Sequence, residues 1–309
     1  MNYIYWLALF SVVVAVFEKL WPAREQQQLR TWLWSDFVHL VFNGHFIGLI
    51  LYGVSFHHVV PPVETFLSEH GLSDAFFFGA VGGWGLVAQS VAALFVIDFV
   101  QWLVHNALHR FNFLWKFHQI HHSVKDGEMD WIVSFRFSWI EPVIYKSVMY
   151  IPAIWFGFAP EALFFLAVFG TIIGHLNHAN VTWKYGLLRY LLNTPHMHLY
   201  HHAYDAPGKG QNFGITLSCW DWIFGTAHFP EEPCPKIGFP GVELVPNDFF
   251  GQAFWPIPLA IPSIQKTNVF ASVGGVAILA GLYAVSLPPT VDPPNSGETE
   301  QRNVSDYSP

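Results

Sequence analysis

DFVQWLVHNALHR, residues 98–110, is where an apolar run that begins near residue 76 turns polar, and it does so with two histidines four positions apart. At 3.6 residues per turn, His105 and His109 share one helix face. Asp98, seven positions before His105, falls on that face and is a candidate to hold an imidazole N–H, as metal-bound histidines usually require. Outward from this stretch the pattern repeats. HQIHH (118–122) supplies His118, His121 and His122 at i, i+3 and i+4, a spacing that lets three ligands converge from one turn. HMHLYHH (196–202) gives the same spacing as His198, His201 and His202, with His196 beside them; between the two, GHLNHANVTW (174–183) offers His175 and His178. Buried imidazoles without partners are costly near a membrane core, so two such triplets point to a ligand for them.

The rest of the chain predicts where these clusters sit. Of 309 residues, 52% are hydrophobic and 12% charged, against about 25% charged in an ordinary soluble domain. Apolar runs at 3–17, 46–55, 76–97, 143–174 and 268–287, with a polar-flecked one at 36–60, are span candidates for a hydrocarbon core that takes about 20 residues to cross. The first has no basic residue ahead of it and no small-residue cleavage site after it, so it reads as a retained span. The fold class predicted is all-α: a polytopic integral membrane helical bundle with a cytoplasmic-side, histidine-rich metal-binding cap. The expected organisation is an N-terminal transmembrane region (1–75), a catalytic domain (76–245), a C-terminal region with a further span (246–287) and a disordered Pro-rich tail (288–309). Arg24, Arg30, Arg110, Lys116, Lys125, Lys184, Arg189, Lys209, Lys236 and Lys266 lie in stretches around the histidines, whereas PPVETFLSEHGLSD (61–74) has no Lys or Arg. That asymmetry places the histidines on the cytoplasmic side and the amino terminus outside.

Net charge is −8 with no basic stripe, which gives no support to nucleic-acid binding, and no nucleic-acid partner is expected. Cys219 and Cys234 form no CxxC pair. Histidine is a common ligand of iron, copper, zinc and nickel, and the absence of cysteine ligands argues against iron–sulfur clusters. The candidates are too many for a single ion with three or four ligands, so two ions with open positions are expected. His39, His45, His57, His58, His70 and His228 lack the triplet spacing and read as loop or interface residues. Glu128, Asp130 and Glu141 read equally as supporting carboxylates or as solvated or ion-paired ones.

The order HxxxH, HxxHH, H, HxxHH on a multi-span chain resembles the fatty acid hydroxylase and sterol desaturase superfamily over roughly residues 90–230. HANVTW, LLNTPHMHLYHH and NFGITLSCWDWIFGT also resemble family text, and within them LNTP and WDWIFGT are more similar to its alkylglycerol monooxygenase branch. The resemblance implies an oxidoreductase with two iron ions (Fe2+) that uses O2 as co-substrate to hydroxylate or desaturate a C–H bond of a sterol, fatty acyl or ether lipid. The ligands it implies are His105, His109, His118, His121, His122, His178, His198, His201 and His202, with His175 and His196 as further candidates. Asp221, within WDWIFGT, joins Asp98 as a candidate carboxylate behind the ligands. One stretch departs from the pattern: many members read R-x-H-P-x-E where this chain has RFSWIE (136–141), so Ser138 stands in place of that histidine.

No haem, flavin or ferredoxin segment is visible, so a separate electron donor of cytochrome b5, ferredoxin or pterin type is expected, in a bacterial inner membrane or the endoplasmic reticulum. Two other classes compete. A membrane zinc hydrolase would want a helical H-E-x-x-H, which is absent. A metal transporter or sensor would line the middle of its spans with ligands, whereas here they gather at the ends.

Overall fold

A computed structural model describes residues 2–26, 30, 32–54, 57–58, 60–72, 79–124, 127–204, 210–232, 234 and 236–256. The span expected at 268–287 and the tail from 288 lie outside the described residues, all of which belong to one unit, residues 1–259. Helix α1 (Tyr3–Leu20) starts where the Asn2 side chain accepts the Ile4 N–H. The polar-flecked stretch folds as α2 (Leu33–Val41), a π-turn over Phe42–Ile47 and α3 (Gly48–Val54), and α4 (Val60–Glu69) follows. Then come α5 (Leu86–Arg110), α6 (Asn112–His122), α7 (Ile140–Trp155) and α8 (Pro160–His178). The short helices α9 (Pro195–His201), α10 (Cys219–Phe224) and α11 (Phe249–Ala253) complete the order. Among the described residues there is no strand, only two isolated bridges, and the protein is an all-α membrane protein.

Among the described residues three helices, α1, α5 and α8, are long and apolar enough to cross a membrane. Leu9 and Val12 on α1 and Val87 and Val91 on α5 are exposed, an apolar surface suited to lipid rather than water. The run expected at 76–97 begins its helix ten residues late, because GAVGGWG (79–85) is a turn: Gly79 has φ +67° and Gly157, at φ +72°, packs so closely that a Cβ on it would sit 3.1 Å from the Gly79 Cα. The amides of Gly79 and Val81 donate to the carbonyls of Trp155 and Phe156, tying this turn to the corner between α7 and α8. The run at 143–174 divides at that corner. Pro160 opens α8 at a position where its missing N–H is not needed, while α7, at 16 residues with Pro152 inside, reaches about 24 Å and is short for a full crossing.

Helix α8 packs on α1, α5 and the 3-10 turn Trp131–Phe135, and α5 packs on α6 and α7. Phe111 alone, in extended conformation, separates α5 from α6, so the chain doubles back and α6 lies against the end of α5. A buried ionic network fixes the far end of α6. The Arg136 guanidinium donates to both oxygens of Asp36, one of them at 2.6 Å, and to the carbonyl of Ser123, one residue past His122. Arg30 bridges the same Asp36 to Asp130. Removing one partner of a buried pair costs about 3–5 kcal/mol, so this network ties α2 firmly to the histidine turn.

Candidate metal centre

The helices bring the nine HxxxH, HxxHH, H and HxxHH histidines into two adjacent buried groups. His105, His109, His118, His122 and His201 form one; His121, His178, His198 and His202 form the other; within each, one nitrogen per residue lies within 4.8 Å of all the rest. Neither triplet stays together. His118 and His122, at i and i+4, turn to the first group while His121 turns to the second; on α9, His198 and His202 enter the second and His201 the first. Each HxxHH turn therefore lies between the two groups and contributes to both. Thr194 accepts the Met197 N–H at 3.0 Å and Pro195 follows it, which fixes where α9 starts and hence which way its histidines face.

Hydrogen bonds at the outer nitrogens determine what the inner ones can do. His105 Nδ1 donates to the Phe213 carbonyl at 2.8 Å, and His118 Nδ1 donates to the Glu141 carboxylate at 2.7 Å. A neutral ring with its proton on Nδ1 carries a lone pair on Nε2, so these two Nε2 atoms, 3.1 Å apart, face each other lone pair to lone pair. In the second group one ring is held in this way: His178 Nδ1 donates to the Gly174 carbonyl at 2.7 Å, and its Nε2 faces His198 Nε2 at 2.9 Å and His121 Nε2 at 3.2 Å, while the Nδ1 atoms of His121, His198 and His202 are buried without a partner. His201 Nδ1 donates to the Gln211 carbonyl, and its Nε2, with those of His109 and His122, is buried without a hydrogen-bond partner. Burial, reinforced by neighbouring imidazoles, holds His121, His122, His198 and His202 well below the ordinary histidine range, and burial takes His201 down to about 3. Buried imidazoles that turn Nε2 atoms toward one another, four of them with the proton held on the outer nitrogen, are the donor set a soft or borderline cation requires, and imidazole alone suits iron, copper, zinc or nickel.

His175 and His196 stand apart. His175 lies between the hydroxyls of Ser11 and Ser134, and His196 Nε2 donates to the Pro230 carbonyl. Among the described residues Asp98 and Asp221 hydrogen-bond to no imidazole. Asp98 accepts from the amides of Thr216 and Leu217 and from the Trp220 indole; Asp221 accepts from the amides of Phe213 and Gly214, the Trp102 indole and the Thr226 hydroxyl. Both act one bond further out, pinning the 213–217 backbone whose Phe213 carbonyl orients His105. Sequence reasoning gave Glu141 no preference over a solvated carboxylate, yet it is fully buried on His118; its place as the retained acid of RFSWIE is the signal. The carbonyls of Phe213, Gln211 and Gly174 leave no sequence signal. Ser138 is buried with its hydroxyl unpartnered.

A cavity of about 570 Å³ opens on this centre. His105, His118, His121, His178 and His198 line one end, and Pro160 and Glu161 line the other. Both ends of α8 are thus represented, a rise of about 27 Å at 1.5 Å per residue.

Buried paired histidine groups at the ends of apolar helices, with a long cavity running back into the bundle, define an all-α membrane protein built around a polyhistidine centre. Residues 90–226 match the sequence model of the fatty acid hydroxylase family. It is 29% identical over 224 residues to the ornithine lipid hydroxylase OlsE of Rhizobium tropici, covering 72% of this chain and 65% of that protein. It is also 30% identical over 142 residues to the alkylglycerol monooxygenase of Homo sapiens, covering 44% of this chain and 29% of that one, and 28% identical over 151 residues to that of Caenorhabditis elegans, covering 48% and 28%. The chain thus spans less than two thirds of the length of each of these relatives. No solved structure matches it significantly.

Proposed function

We propose that the protein is an iron-dependent, O2-using lipid hydroxylase of the membrane, with His105, His109, His118, His122 and His201 holding one ion and His121, His178, His198 and His202 the other. The observation that carries this reading is the pair of lone-pair-bearing Nε2 atoms of His105 and His118, 3.1 Å apart at the head of the cavity. Two iron ions would supply the activation of O2 for attack on a C–H bond. The chain's own part is positional. Glu141 and the Phe213, Gln211 and Gly174 carbonyls keep the protons on the outer nitrogens, and the buried histidines stay neutral and available. The cavity admits an alkyl chain from the bilayer without passing it through water.

Hydroxylation places one oxygen atom of O2 in the C–H bond and reduces the other to water, using two electrons and two protons. The electrons come from a separate cytochrome b5, ferredoxin or pterin-type donor. The centre faces the cytoplasm, with the amino terminus on the opposite side, as the Lys and Arg distribution favours. The names of the relatives support a lipid substrate with a polar head group. The test is metal per chain in detergent-purified protein from iron-replete cells, beside His121→Ala and His201→Ala. About two ions are expected in the parent and about one in each variant, because the two residues belong to different groups. One ion or none in the parent would overturn the reading.

A further inference from the structure

Lys146 is a charge for which the centre has no use. It lies on α7 among the residues that line the cavity. On α7 those residues include Glu141, Pro142, Tyr145, Lys146, Met149 and Tyr150, a stripe at helical spacing that faces the cavity. Several other polar side chains along the cavity are engaged: Tyr3 with Thr171, Asn43 with the carbonyls of Phe135 and Phe137, Gln101 with Met149, Ser134 with His175, and Glu141 with His118; Tyr145 and Glu161 line it as well. Lys146 has neither a hydrogen bond nor an ion pair among the described residues. Gly48, on the opposite wall, leaves room for it: a Cβ there would lie 3.9 Å from the lysine Cε. An ammonium at membrane depth is expensive, and it is found where it lines a pathway or meets an anion. Helix ends let lysines reach the interface, but this one sits in the body of α7, on the face turned inward.

We infer that Lys146 is the head-group site of the cavity: its ammonium pairs with an anionic group, phosphate or carboxylate, of the lipid whose alkyl portion reaches the histidines. This rests on the hydroxylase reading and adds the substrate's charge to it. Lys146 lies five residues beyond Glu141 on one helix, about 7.5 Å along the axis from the residue that holds His118. An anion held there puts the carbon presented to the centre within a few bonds of the charged group. Lys146 is therefore a specificity-determining residue rather than one that touches the reacting atoms.

The test uses the full chain in an uncharged detergent, with methyl parinarate, a fluorescent uncharged lipid, as reporter. Oleyl phosphate, oleate and oleyl alcohol, which share one chain and differ in head group, displace it in turn. The parent is expected to be emptied by one of the two anions at a concentration at least about tenfold below that of the alcohol, the order of one charge-assisted pair formed out of water. Which anion is tighter decides between phosphate and carboxylate. Lys146→Met should lose this preference while its response to oleyl alcohol stays at the parent's value, which also shows that the cavity has survived. Lys146→Arg should keep the preference. Equal displacement by all three lipids in the parent, or an anion preference surviving in Lys146→Met, would overturn the head-group site and leave the hydroxylase reading standing. Failure of all three to displace the reporter would overturn both, and the metal count then shows whether the centre itself is intact.

Discussion

Glu141→Gln isolates one of the two histidine groups proposed to hold metal. Glu141 is fully buried, and among the described residues the only hydrogen bond of its carboxylate is the one it accepts from His118 Nδ1 at 2.7 Å. His118 belongs to the first group of histidines and not to the second. The substitution keeps size and shape but removes the charge that holds the proton on Nδ1. If the new amide presents its NH2 group, the proton moves to Nε2 and the ring can no longer ligate. Loss of such an outer partner weakens metal binding about 10–100-fold, or about 1.4–2.8 kcal/mol at 1.4 kcal/mol per factor of ten. The assay is dialysis of iron-loaded protein against a graded chelator, followed by metal per chain. At a chelator concentration where the parent keeps both ions, the variant should keep about one, and the ion retained in the second group serves as the internal control for folding. Retention of both ions across the same chelator range, or loss of both together, would refute the reasoning, because either result would mean that Glu141 does not act on one group through His118.

Gly214→Ala should loosen the loop that orients His105. A Cβ there would lie 2.9 Å from the Asp221 carboxylate and closer still to the Leu217 carbonyl, so a destabilisation of about 1–3 kcal/mol is expected, read as a lower Tm in detergent; an unchanged Tm would show the loop to be slack. The metal-free protein should also lose stability in acid. His201 is depressed from 6.5 to about 3, and His121, His122, His198 and His202 lie well below 6.5, so between these values the unfolded chain binds more protons than the folded one. Stability should therefore be full above about pH 6.5 and fall progressively below it, as a denaturant titration at several pH values would show; a flat profile between pH 7 and 4 would contradict the burial of neutral imidazoles.

Local patterns in the sequence determined a good deal here. Apolar runs of sufficient length mark α1, α5 and α8, because crossing hydrocarbon demands length and composition and little else. The i, i+3 and i+4 spacings place histidines on helix faces, since helical periodicity is a property of the chain alone. The same periodicity does not say which neighbour a face will meet. His121 and His122 are adjacent residues and join different groups, because α6 lies between the end of α5 on one side and the ends of α8 and α9 on the other. Asp98 shares a helix face with His105, as the spacing predicts, yet its carboxylate is taken by the amides of Thr216 and Leu217, more than a hundred residues away. Glu141 and Lys146 look alike in the sequence, as charges at the edge of an apolar run. Only the packing of α7 against the cavity places one of them on His118 and leaves the other facing the cavity. Tertiary structure decided these assignments because a buried polar group takes whichever partner the crossing helices bring within about 3 Å, and sequence distance does not enter that choice.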